Sequence, residues 1–436
     1  MGIKVALHNL GCKVNAYETE AMHQMLEENG YEIVDFAPGA DVYIINTCTV
    51  TNIADRKSRQ MLHRARKMNP RALVVAAGCY AQAGTKKLEE DDGIDIIIGN
   101  NKKKDLIEIL KKYEKDSRKS NNIIDINHTK EYEEMTVSRT TEHTRAYIKV
   151  QDGCNQFCTY CIIPFARGRV RSRKKEDVLE EVKRLSEAGC REVVLTGIHL
   201  SSYGIDLEED NLGTLLESVH QIEGIERIRL GSLEPGIITE EFAARMAELP
   251  KICPHFHLSL QSGCDETLKR MNRRYRADQY REKCRILRKY YENPALTTDV
   301  ITGFPGETEE EFEKSYRFVE EMDFYEIHVF KYSRRQGTKA AVMDGQVDEQ
   351  VKSERSTRMI AMGERKKREY LEKYLGRTLE ILLEEKVMIG EEAFWIGHTP
   401  QYLKVAVRDA GQHSNEFQRV QARTIGTNDV IMGVRI

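Results

Sequence analysis

The chain has 436 residues, too many for one hydrophobic core, and this length predicts about three domains. Because 67 Lys and Arg face 70 Asp and Glu, the net charge of -3 excludes a uniformly basic nucleic-acid-binding protein. Ten cysteines are too few for a disulfide scaffold in a chain this long, and no secretory signal or membrane-spanning run is visible, so we expect a cytoplasmic protein with no membrane partner.

Residues 1–115 alternate short apolar runs with amphipathic stretches. The apolar runs are KVALH, DVYIIN, ALVVAAG and IDIII, and helical patterns cover Ala16–Glu28 and Ala54–Lys67 and begin again after Tyr80. This alternation predicts an α/β domain with a doubly wound, mainly parallel sheet. The next segment, 116–139, is polar and charged, and we expect it to be a linker.

The alternation resumes in residues 140–370. Six apolar runs, each separated by room for a crossover helix, predict a partial (β/α)6 barrel: RAYIKV, EVVLTG, RIRLGS, FHLSL, LTTDVITG and EIHVFKYS. A charged helical stretch, Val351–Lys373, follows the sixth run. Residues 371–436 then contain only strand-like segments, which predict a small antiparallel β-barrel.

Three cysteines, Cys154, Cys158 and Cys161, lie within eight residues directly after the first barrel strand. A tetrahedral zinc site would need a fourth Cys or His nearby, and none follows in the next twenty-five residues. An iron–sulfur cubane accepts three thiolates and leaves one iron open to another ligand. The spacing therefore favours a reactive cluster over three unconnected core cysteines.

Polar and small residues follow the later strands of the predicted barrel. In parallel α/β barrels the loops after the strands form the site, so these residues should share one mouth with the cysteine loop. Each alone is equally consistent with an ordinary turn or loop residue. The candidates are Thr196, Gly197, His199, Ser232, Glu234, Gln261, Ser262, Gly303 and Phe304.

A second set of cysteines, Cys12, Cys48 and Cys79, is widely spaced, but each member ends a predicted strand of the first sheet. Such ends form the ligand crevice of an open parallel sheet, so the three thiols should converge. The alternative is that each is a small buried apolar residue. The remaining candidates, Cys190, Cys253, Cys264 and Cys284, sit singly and are left without a role.

The whole chain resembles the methylthiotransferase family of radical S-adenosylmethionine enzymes. The matching stretches are NLGCKVNAYETE, INTCTVT, AAGCYAQ, QDGCNQFCTYCIIPFARGRVRSR, TGIHLSSYG, HLSLQSGCDETLKRMNRRY and TGFPGET. The resemblance implies a methylthiotransferase domain over 1–115, a radical S-adenosylmethionine core over 140–370 and an RNA-binding TRAM domain over 371–436. RIRLGSLEP and CIIPFARGRVRSR look most like the branch that acts on N6-threonylcarbamoyladenosine at tRNA position 37. Related branches act on isopentenyladenosine or on an aspartate of a ribosomal protein.

The resemblance also implies cofactors and residue roles. Two 4Fe-4S clusters would be held by the two cysteine triads, and Tyr160 would lie over the adenine of S-adenosylmethionine. By the same resemblance, two S-adenosylmethionine molecules would be consumed per turnover: one would methylate the sulfur on the N-terminal cluster, and the other would yield the 5′-deoxyadenosyl radical that removes hydrogen from C2 of the adenine. The other cofactor candidates are Thr196, Gly197, Ser232, Glu234, Gln261, Ser262, Gly303 and Phe304.

The implied partners are a tRNA anticodon stem-loop of the ANN-decoding class, an electron donor such as flavodoxin or ferredoxin, and a sulfur donor. Guanidinium groups just beyond the cluster loop are the best phosphate candidates, and the terminal barrel offers two residues as an exposed RNA contact. These candidates are Arg167, Arg169, Arg171, Arg173, Tyr402 and Lys404. A rival from another class is a non-catalytic iron–sulfur RNA-binding sensor.

Overall fold

A computed structural model describes residues 2–116, 118–139, 144–411 and 413–436. The first part of the chain forms β1 (Lys4–Asn9), α1 (Lys13–Glu28), β2 (Glu32–Ile33), β3 (Val42–Thr47), α2 (Asn52–Met68), β4 (Leu73–Gly78), α3 (Cys79–Ala83), α4 (Thr85–Glu89), β5 (Ile96–Ile98), α5 (Leu106–Asp116) and β6 (Ser120–Asn122).

These strands form one six-stranded sheet in the order β2-β1-β3-β4-β5-β6, and every pair is parallel. The doubly wound sheet is thereby confirmed. Strand β3 is buried along its whole length, as its apolar sequence requires when helices cover both faces. The strand order reverses between β1 and β3, so a crevice opens at their carboxyl ends.

The expected linker over 116–139 is wrong for the part that the structure describes. Strand β6 pairs with β5, and the following residues Ile126, Glu133, Met135 and Val137 are buried. The Glu133 carboxylate accepts hydrogen bonds from the backbone N–H groups of residues 101, 103 and 104. The segment is therefore packed against the protein, and we call it the strap. Its polar sequence did not predict this packing, because the strap is held largely by the buried Glu133 carboxylate rather than by apolar residues.

The central part forms β7 (Arg145–Asp152), α6 (Ile163–Arg167), β8 (Arg171–Ser172), α7 (Lys175–Glu187), β9 (Glu192–Gly197), α8 (Leu212–His220), β10 (Arg227–Leu230), α9 (Glu240–Ala247), β11 (His255–His257), α10 (Asp265–Arg270), α11 (Ala277–Tyr290), β12 (Ala295–Thr302), α12 (Glu309–Glu321), β13 (Glu326–Lys331) and α13 (Glu349–Glu372).

The predicted partial barrel is confirmed. Sheet β10-β9-β7-β8 and sheet β11-β12-β13 are joined by the bridges Ile228↔Ile252 and Leu233↔Leu258, so six parallel strands curve around one lumen. Among the strands described in this part of the chain, only the short β8 pairs antiparallel, with β7. Alternate residues such as Ile148, Leu195 and Phe256 pack on the helices, and their neighbours therefore face the lumen.

The last part forms β14 (Thr378–Ile389), β15 (Glu392–His398), β16 (Lys404–Arg408), β17 (Phe417–Ile425) and β18 (Ile431–Arg435). These strands close into a barrel in the order β14-β15-β16-β18-β17. The expected small antiparallel barrel is present, with one difference: β16 and β18 pair in parallel. Helix α13 leads into the barrel, so the expected boundary at residue 370 falls inside its last turn.

No helix within the described ranges is both long and apolar enough to span a membrane.

Candidate active site

The first cysteine triad lies on the loop between β7 and α6. Backbone hydrogen bonds fix this loop: Cys154 N–H donates to the carbonyl of Gly168 at 3.0 Å, and Thr159 N–H donates to that of Met271 at 3.0 Å. Gly153 has a φ of 71°, and a Cβ there would lie 1.8 Å from the carbonyl oxygen of Arg169. Glycine is therefore required for the loop to approach the segment that returns beneath it.

The three thiols of this loop lie close enough to interact electrostatically. Burial raises the pKa of Cys154 to about 11 and that of Cys161 to about 12, and the charge of Cys158 contributes to both shifts. The guanidinium of Arg273 lies 3.3 Å from Cys158 Sγ and so faces the thiol set with a positive charge. Among the described residues, the group of Cys, His, Asp and Glu ligand atoms that all lie within 4.8 Å of one another is His257, Asp299 and His328, so the three thiols are spaced more widely than that.

The second cysteine triad occupies three neighbouring strand ends, because β1, β3 and β4 are adjacent in the sheet. Burial raises the pKa of Cys48 to about 11, and the charges of Cys79 and Cys12 add to the shift. Gly11 has a φ of 113°, and a Cβ there would lie 3.1 Å from Cys48 Sγ. The three thiols thus share one crevice whose wall has no room for a side chain at position 11.

The crevice of the second triad contacts the helix that follows the first triad. Arg167 ends the helix that follows Cys161, and its Nε donates to Cys79 Sγ at 3.1 Å. Asn100 donates to Cys79 Sγ at 3.5 Å and to the carbonyl of Ala166 at 2.7 Å. Helix α6 and the crevice of the first sheet are therefore in direct contact.

Three of the arginines expected to bind phosphate are instead buried. Arg167 contacts Glu18 at 2.9 Å and Asp152 at 3.1 Å, and it is fully inaccessible. Arg173 is paired with Glu181, and Arg171 donates to the carbonyls of Arg169 and Arg167. The prediction is wrong for these three, because carboxylates on α1, β7 and α7 compensate their charges inside the protein.

Arg169 alone remains a surface group. It is exposed, and its guanidinium lies over the ring of Phe157 at 4.3 Å.

Tyr402 was expected on an exposed outer face, and this is also wrong. Its hydroxyl lies 2.9 Å from Arg145, and its ring stacks on His398 with centroids 4.5 Å apart. Its φ of 69° turns the loop before β16 toward the partial barrel. Lys404 begins β16 and is half-buried.

The expected cofactor residues divide into two groups. Ser232 is exposed at the mouth, Glu234 accepts from Arg273 at 2.7 Å and lies 3.7 Å from His199, and Tyr160 packs edge-on against Phe304 at 6.3 Å. The others are fixed by internal contacts or backbone shape: Thr196, Gly197, Gln261, Ser262, Gly303 and Phe304.

Ser262 is buried, and its oxygen accepts from Cys264 N–H at 3.2 Å and lies 3.5 Å from the Ser315 hydroxyl. Its hydroxyl therefore serves the loop, and the expectation that it binds a ligand is not supported by its placement.

Sequence reasoning missed several residues of this site. Arg273 belongs to a basic cluster that looked like an RNA surface, yet it is buried between Cys158 and Glu234. Glu18, Lys149 and Asp152 were missed because an isolated charge on an amphipathic helix or a strand looks solvent-exposed. Lys149 contacts Glu18 at 2.8 Å and Asp152 at 2.7 Å, and all three are buried.

Two family models match the chain. Residues 148–319 match the radical S-adenosylmethionine superfamily, and residues 4–99 match a family described as uncharacterized, UPF0004. Among solved structures, the radical S-adenosylmethionine methyltransferase TsrM from Kitasatospora setae superposes with a TM-score of 0.56 at 17% identity, covering 76% of this chain and 73% of that chain. That likeness supports the fold.

Curated relatives cover nearly the full length. The threonylcarbamoyladenosine tRNA methylthiotransferase MtaB of Bacillus subtilis is 44% identical over 97% of this chain and 94% of its own. The tRNA-2-methylthio-N(6)-dimethylallyladenosine synthase of Finegoldia magna is 36% identical over 86% of this chain and 82% of its own. The chain belongs to the tRNA methylthiotransferase family of radical S-adenosylmethionine enzymes.

Proposed function

We propose that this protein converts N6-threonylcarbamoyladenosine at position 37 of ANN-decoding tRNA to its 2-methylthio derivative. The observation that carries the proposal is the contact between the two cysteine sites, where Arg167 beside one triad donates to Cys79 of the other at 3.1 Å. Replacing the C2 hydrogen of an adenine with a methylthio group requires a hydrogen acceptor and a sulfur source at the same carbon. Two cysteine sites linked through Arg167 are consistent with that requirement. The Bacillus subtilis relative is named for this nucleoside and is more similar than the dimethylallyladenosine relative, at 44% against 36% identity.

In this proposal each triad holds one 4Fe-4S cluster. Three thiols with no Cys or His in the twenty-five residues that follow Cys161 fit a cubane with one open iron, and the glycines at positions 11 and 153 suit a bulky inorganic group against backbone. When bound, the Cys154 cluster and S-adenosylmethionine supply a 5′-deoxyadenosyl radical, and the Cys12 cluster supplies the sulfur. Assembly displaces protons from thiols whose pKa burial has raised, so it should release protons at neutral pH.

The chain's own side chains position the cofactor and the substrate. Glu234 is an acceptor for the ribose or amino group of S-adenosylmethionine, and Arg273 holds that carboxylate while facing Cys158. His199 Nε2 lies 3.7 Å from the Glu234 carboxylate. Ser232 and Tyr160 are the other candidate ligand-binding residues at the mouth of the partial barrel. Burial alone would raise the pKa of Glu234, but His199 and Arg273 outweigh burial and lower that pKa below its usual range. The Glu234 carboxyl group is therefore ionised at neutral pH.

RNA binding in this proposal uses the outer edge of the mouth. Arg169 stacks on Phe157 while exposed, and Phe165 packs edge-on against the same ring and is also exposed. A guanidinium above an aromatic ring offers both a phosphate contact and a stacking surface. A neighbouring cavity of about 520 Å³ is lined by Lys86 and Lys87. Lys404 of the terminal barrel remains a predicted RNA contact, and the reaction also needs an electron donor and a sulfur donor.

Replacing the cysteines of each triad tests the division of labour. Ala at Cys154, Cys158 and Cys161 should abolish release of 5′-deoxyadenosine from anaerobically reconstituted, dithionite-reduced protein. Ala at Cys12, Cys48 and Cys79 should leave that release and stop methylthio insertion. Iron analysis should give about eight irons per chain for the wild type and about four for either triple variant.

The Cys190→Ala variant, which alters a buried cysteine outside both triads, should behave as the wild type. Loss of both activities in the Cys12, Cys48, Cys79 variant with four irons retained would contradict the proposal. The nucleoside is tested by mass spectrometry of tRNA from a deletion strain. The deletion strain should lack 2-methylthio-N6-threonylcarbamoyladenosine, and expression of this chain should restore the nucleoside. Loss of the methylthiolated dimethylallyladenosine instead would show that the chain acts on dimethylallyladenosine.

A further inference from the structure

The base of the partial barrel lumen is lined by charged side chains. Arg145, Glu192 and His255 begin three of its strands, and Arg229 is the third residue of β10. All four lie on the face opposite the apolar residues that pack on the helices. We call these four residues the lumen floor. Both arginines share the Glu192 carboxylate, each at 2.8 Å, and Arg145 is also paired with Glu384.

The floor arginines have little capacity left to bind a ligand. Beyond Glu192, Arg229 donates to the carbonyls of Thr399 at 2.7 Å and Pro400 at 2.8 Å, and Arg145 contacts the Tyr402 hydroxyl at 2.9 Å. Their guanidinium groups are therefore used inside the protein. Their two charges are compensated by Glu192 and Glu384.

Lys13 differs from the floor arginines because its charge is not compensated. It is the first residue of α1, directly after Cys12, and its side chain is exposed within the region between the domains. Helix α1 packs against β7, where Lys149 contacts Glu18 at 2.8 Å, so Lys13 lies on the side of the first sheet that meets the partial barrel. Burial lowers the pKa of Lys13, and the floor arginines Arg229 and Arg145 lower it further. Within the described ranges no carboxylate forms a salt bridge with it. An ammonium group without a carboxylate partner, directly after a candidate cluster cysteine, is available to an anion from outside the chain.

A carboxylate and two histidines lie on the lumen face of the last three strands. His257, Asp299 and His328 lie together on β11, β12 and β13, with His257 Nε2 at 3.3 Å from Asp299 Oδ2. Asp299 and His328 are partners in the strand register. An anionic group in the lumen is repelled by Asp299 and attracted toward Lys13, so the charges of the cavity orient such a ligand.

The substrate of the proposed function carries a matching group. A threonylcarbamoyl substituent on N6 of adenine has a free carboxylate, whereas a dimethylallyl substituent is a hydrocarbon with no charge. Lys13 reaches from the residue next to Cys12, where sulfur insertion at C2 would take place. A long, flexible ammonium group there is within reach of a substituent on the same purine.

We propose that Lys13 binds the carboxylate of the threonylcarbamoyl group and thereby selects this nucleoside over the dimethylallyl one. The inference rests on the proposed function and deepens it by naming a specificity-determining residue. Glu192 and Glu384 compensate Arg145 and Arg229, so these arginines leave the ligand carboxylate to Lys13, and the charge of Asp299 disfavours an anion on its own side.

The test uses cluster-containing protein and synthetic anticodon stem-loops that carry threonylcarbamoyladenosine, dimethylallyladenosine or adenosine at position 37. The wild type should bind the threonylcarbamoyl stem-loop about tenfold more tightly than the adenosine one, the value of a single charge-assisted hydrogen bond. Lys13→Gln and Lys13→Met should lose this preference, and Lys13→Arg should keep most of it. The Lys112→Gln variant, on the exposed face of α5, is the matched control.

Iron content and 5′-deoxyadenosine release should be the same in all these variants, which separates substrate binding from cluster integrity. If Lys13→Gln and Lys13→Met both keep the preference, the inference is overturned. If the wild type forms no methylthio product on the threonylcarbamoyl stem-loop, the proposed function itself fails, whatever Lys13 does. Weaker binding of all three stem-loops by the Lys13 variants would also overturn the inference, because it would show a phosphate contact.

Discussion

Arg167 holds four groups from two domains at one buried point. Its Nε faces Cys79 Sγ, and its terminal nitrogens contact Glu18, Asp152 and Asn15. Burial alone would raise the pKa of Glu18, but Arg167, Lys103 and Lys149 outweigh it and hold that pKa well below its usual range. The residue is therefore a charged link between the thiol crevice and the barrel.

The first prediction concerns Arg167→Gln. Removing a positive charge beside Cys79 should lower the reduction potential of the N-terminal cluster, on the order of tens of millivolts, because hydrogen bonds and charge near the sulfurs stabilise the reduced form. It should also reduce methylthio insertion while 5′-deoxyadenosine release continues. A redox titration followed by electron paramagnetic resonance measures the potential.

Two variants control for loss of structure. Arg167→Lys keeps the charge and should retain most of the wild-type potential, whereas Arg169→Gln alters the neighbouring exposed arginine and should change neither potential nor insertion. An unchanged potential in Arg167→Gln would show that Arg167 acts only as a structural ion pair.

The arginines from Arg167 to Arg173 show what could and could not be predicted from the sequence for single residues. The run from Arg167 to Arg173 has the composition of a phosphate-binding surface, and the cysteine spacing beside it predicted a ligand loop. Burial of three of these arginines could not be predicted, because their carboxylate partners lie far away in sequence: Glu18 is on α1, and Glu181 is on α7. Periodicity identifies local elements and gives no information on such distant ion pairs.

At the scale of elements, the apolar runs located most of the strands. The six barrel strands and the main strands of the first sheet lie where the alternation predicts them, because buried parallel strands need continuous apolar sequence. The strap over 118–139 escaped notice because its order depends on Glu133 rather than on apolar periodicity.

The second prediction concerns that strap. Glu133→Ala should destabilise the N-terminal sheet by about 3 kcal/mol, since three backbone N–H groups lose a charged acceptor and the buried Lys103 loses a nearby carboxylate. The midpoint of urea-induced unfolding should fall accordingly. Glu131→Ala, an exposed carboxylate two residues away, should change stability by less than about 0.5 kcal/mol. Equal effects of the two substitutions would show that the strap is not fixed by Glu133.

At the scale of the whole molecule, the terminal barrel closes the base of the partial barrel. Glu384, His398 and Tyr402 reach the lumen floor from below, and Arg227 donates to the carbonyl of His398 at 2.8 Å. Aromatic rings and guanidinium groups alternate through this contact, with Arg229 lying 4.7 Å from the Tyr402 ring. Docking of the two parts therefore depends on one buried charge network centred on Glu192.

The last prediction follows from the ionisation of Glu192. Burial opposes its charge, but Arg229 and Arg145 outweigh burial and lower the pKa of Glu192 to about 2 from its usual 4.5. A carboxyl group whose pKa is depressed by folding stabilises the protein above its unfolded pKa, and this stabilisation is lost as the pH falls toward the folded value. The contribution, on the order of 3 kcal/mol, should be complete at neutral pH and decline between about pH 4.5 and about pH 2.

Glu192→Gln removes this titration and leaves two arginines without their shared carboxylate. At neutral pH the variant should be less stable than the wild type, and the difference in denaturant midpoint should narrow as the pH is lowered from about 5 to about 3. Glu380→Gln alters the largely exposed partner of Arg227 and should give a small difference that hardly changes with pH. A difference for Glu192→Gln that stays constant over this range would mean that Glu192 does not titrate within the docked contact, and the terminal barrel would then be held by its aromatic and backbone contacts alone.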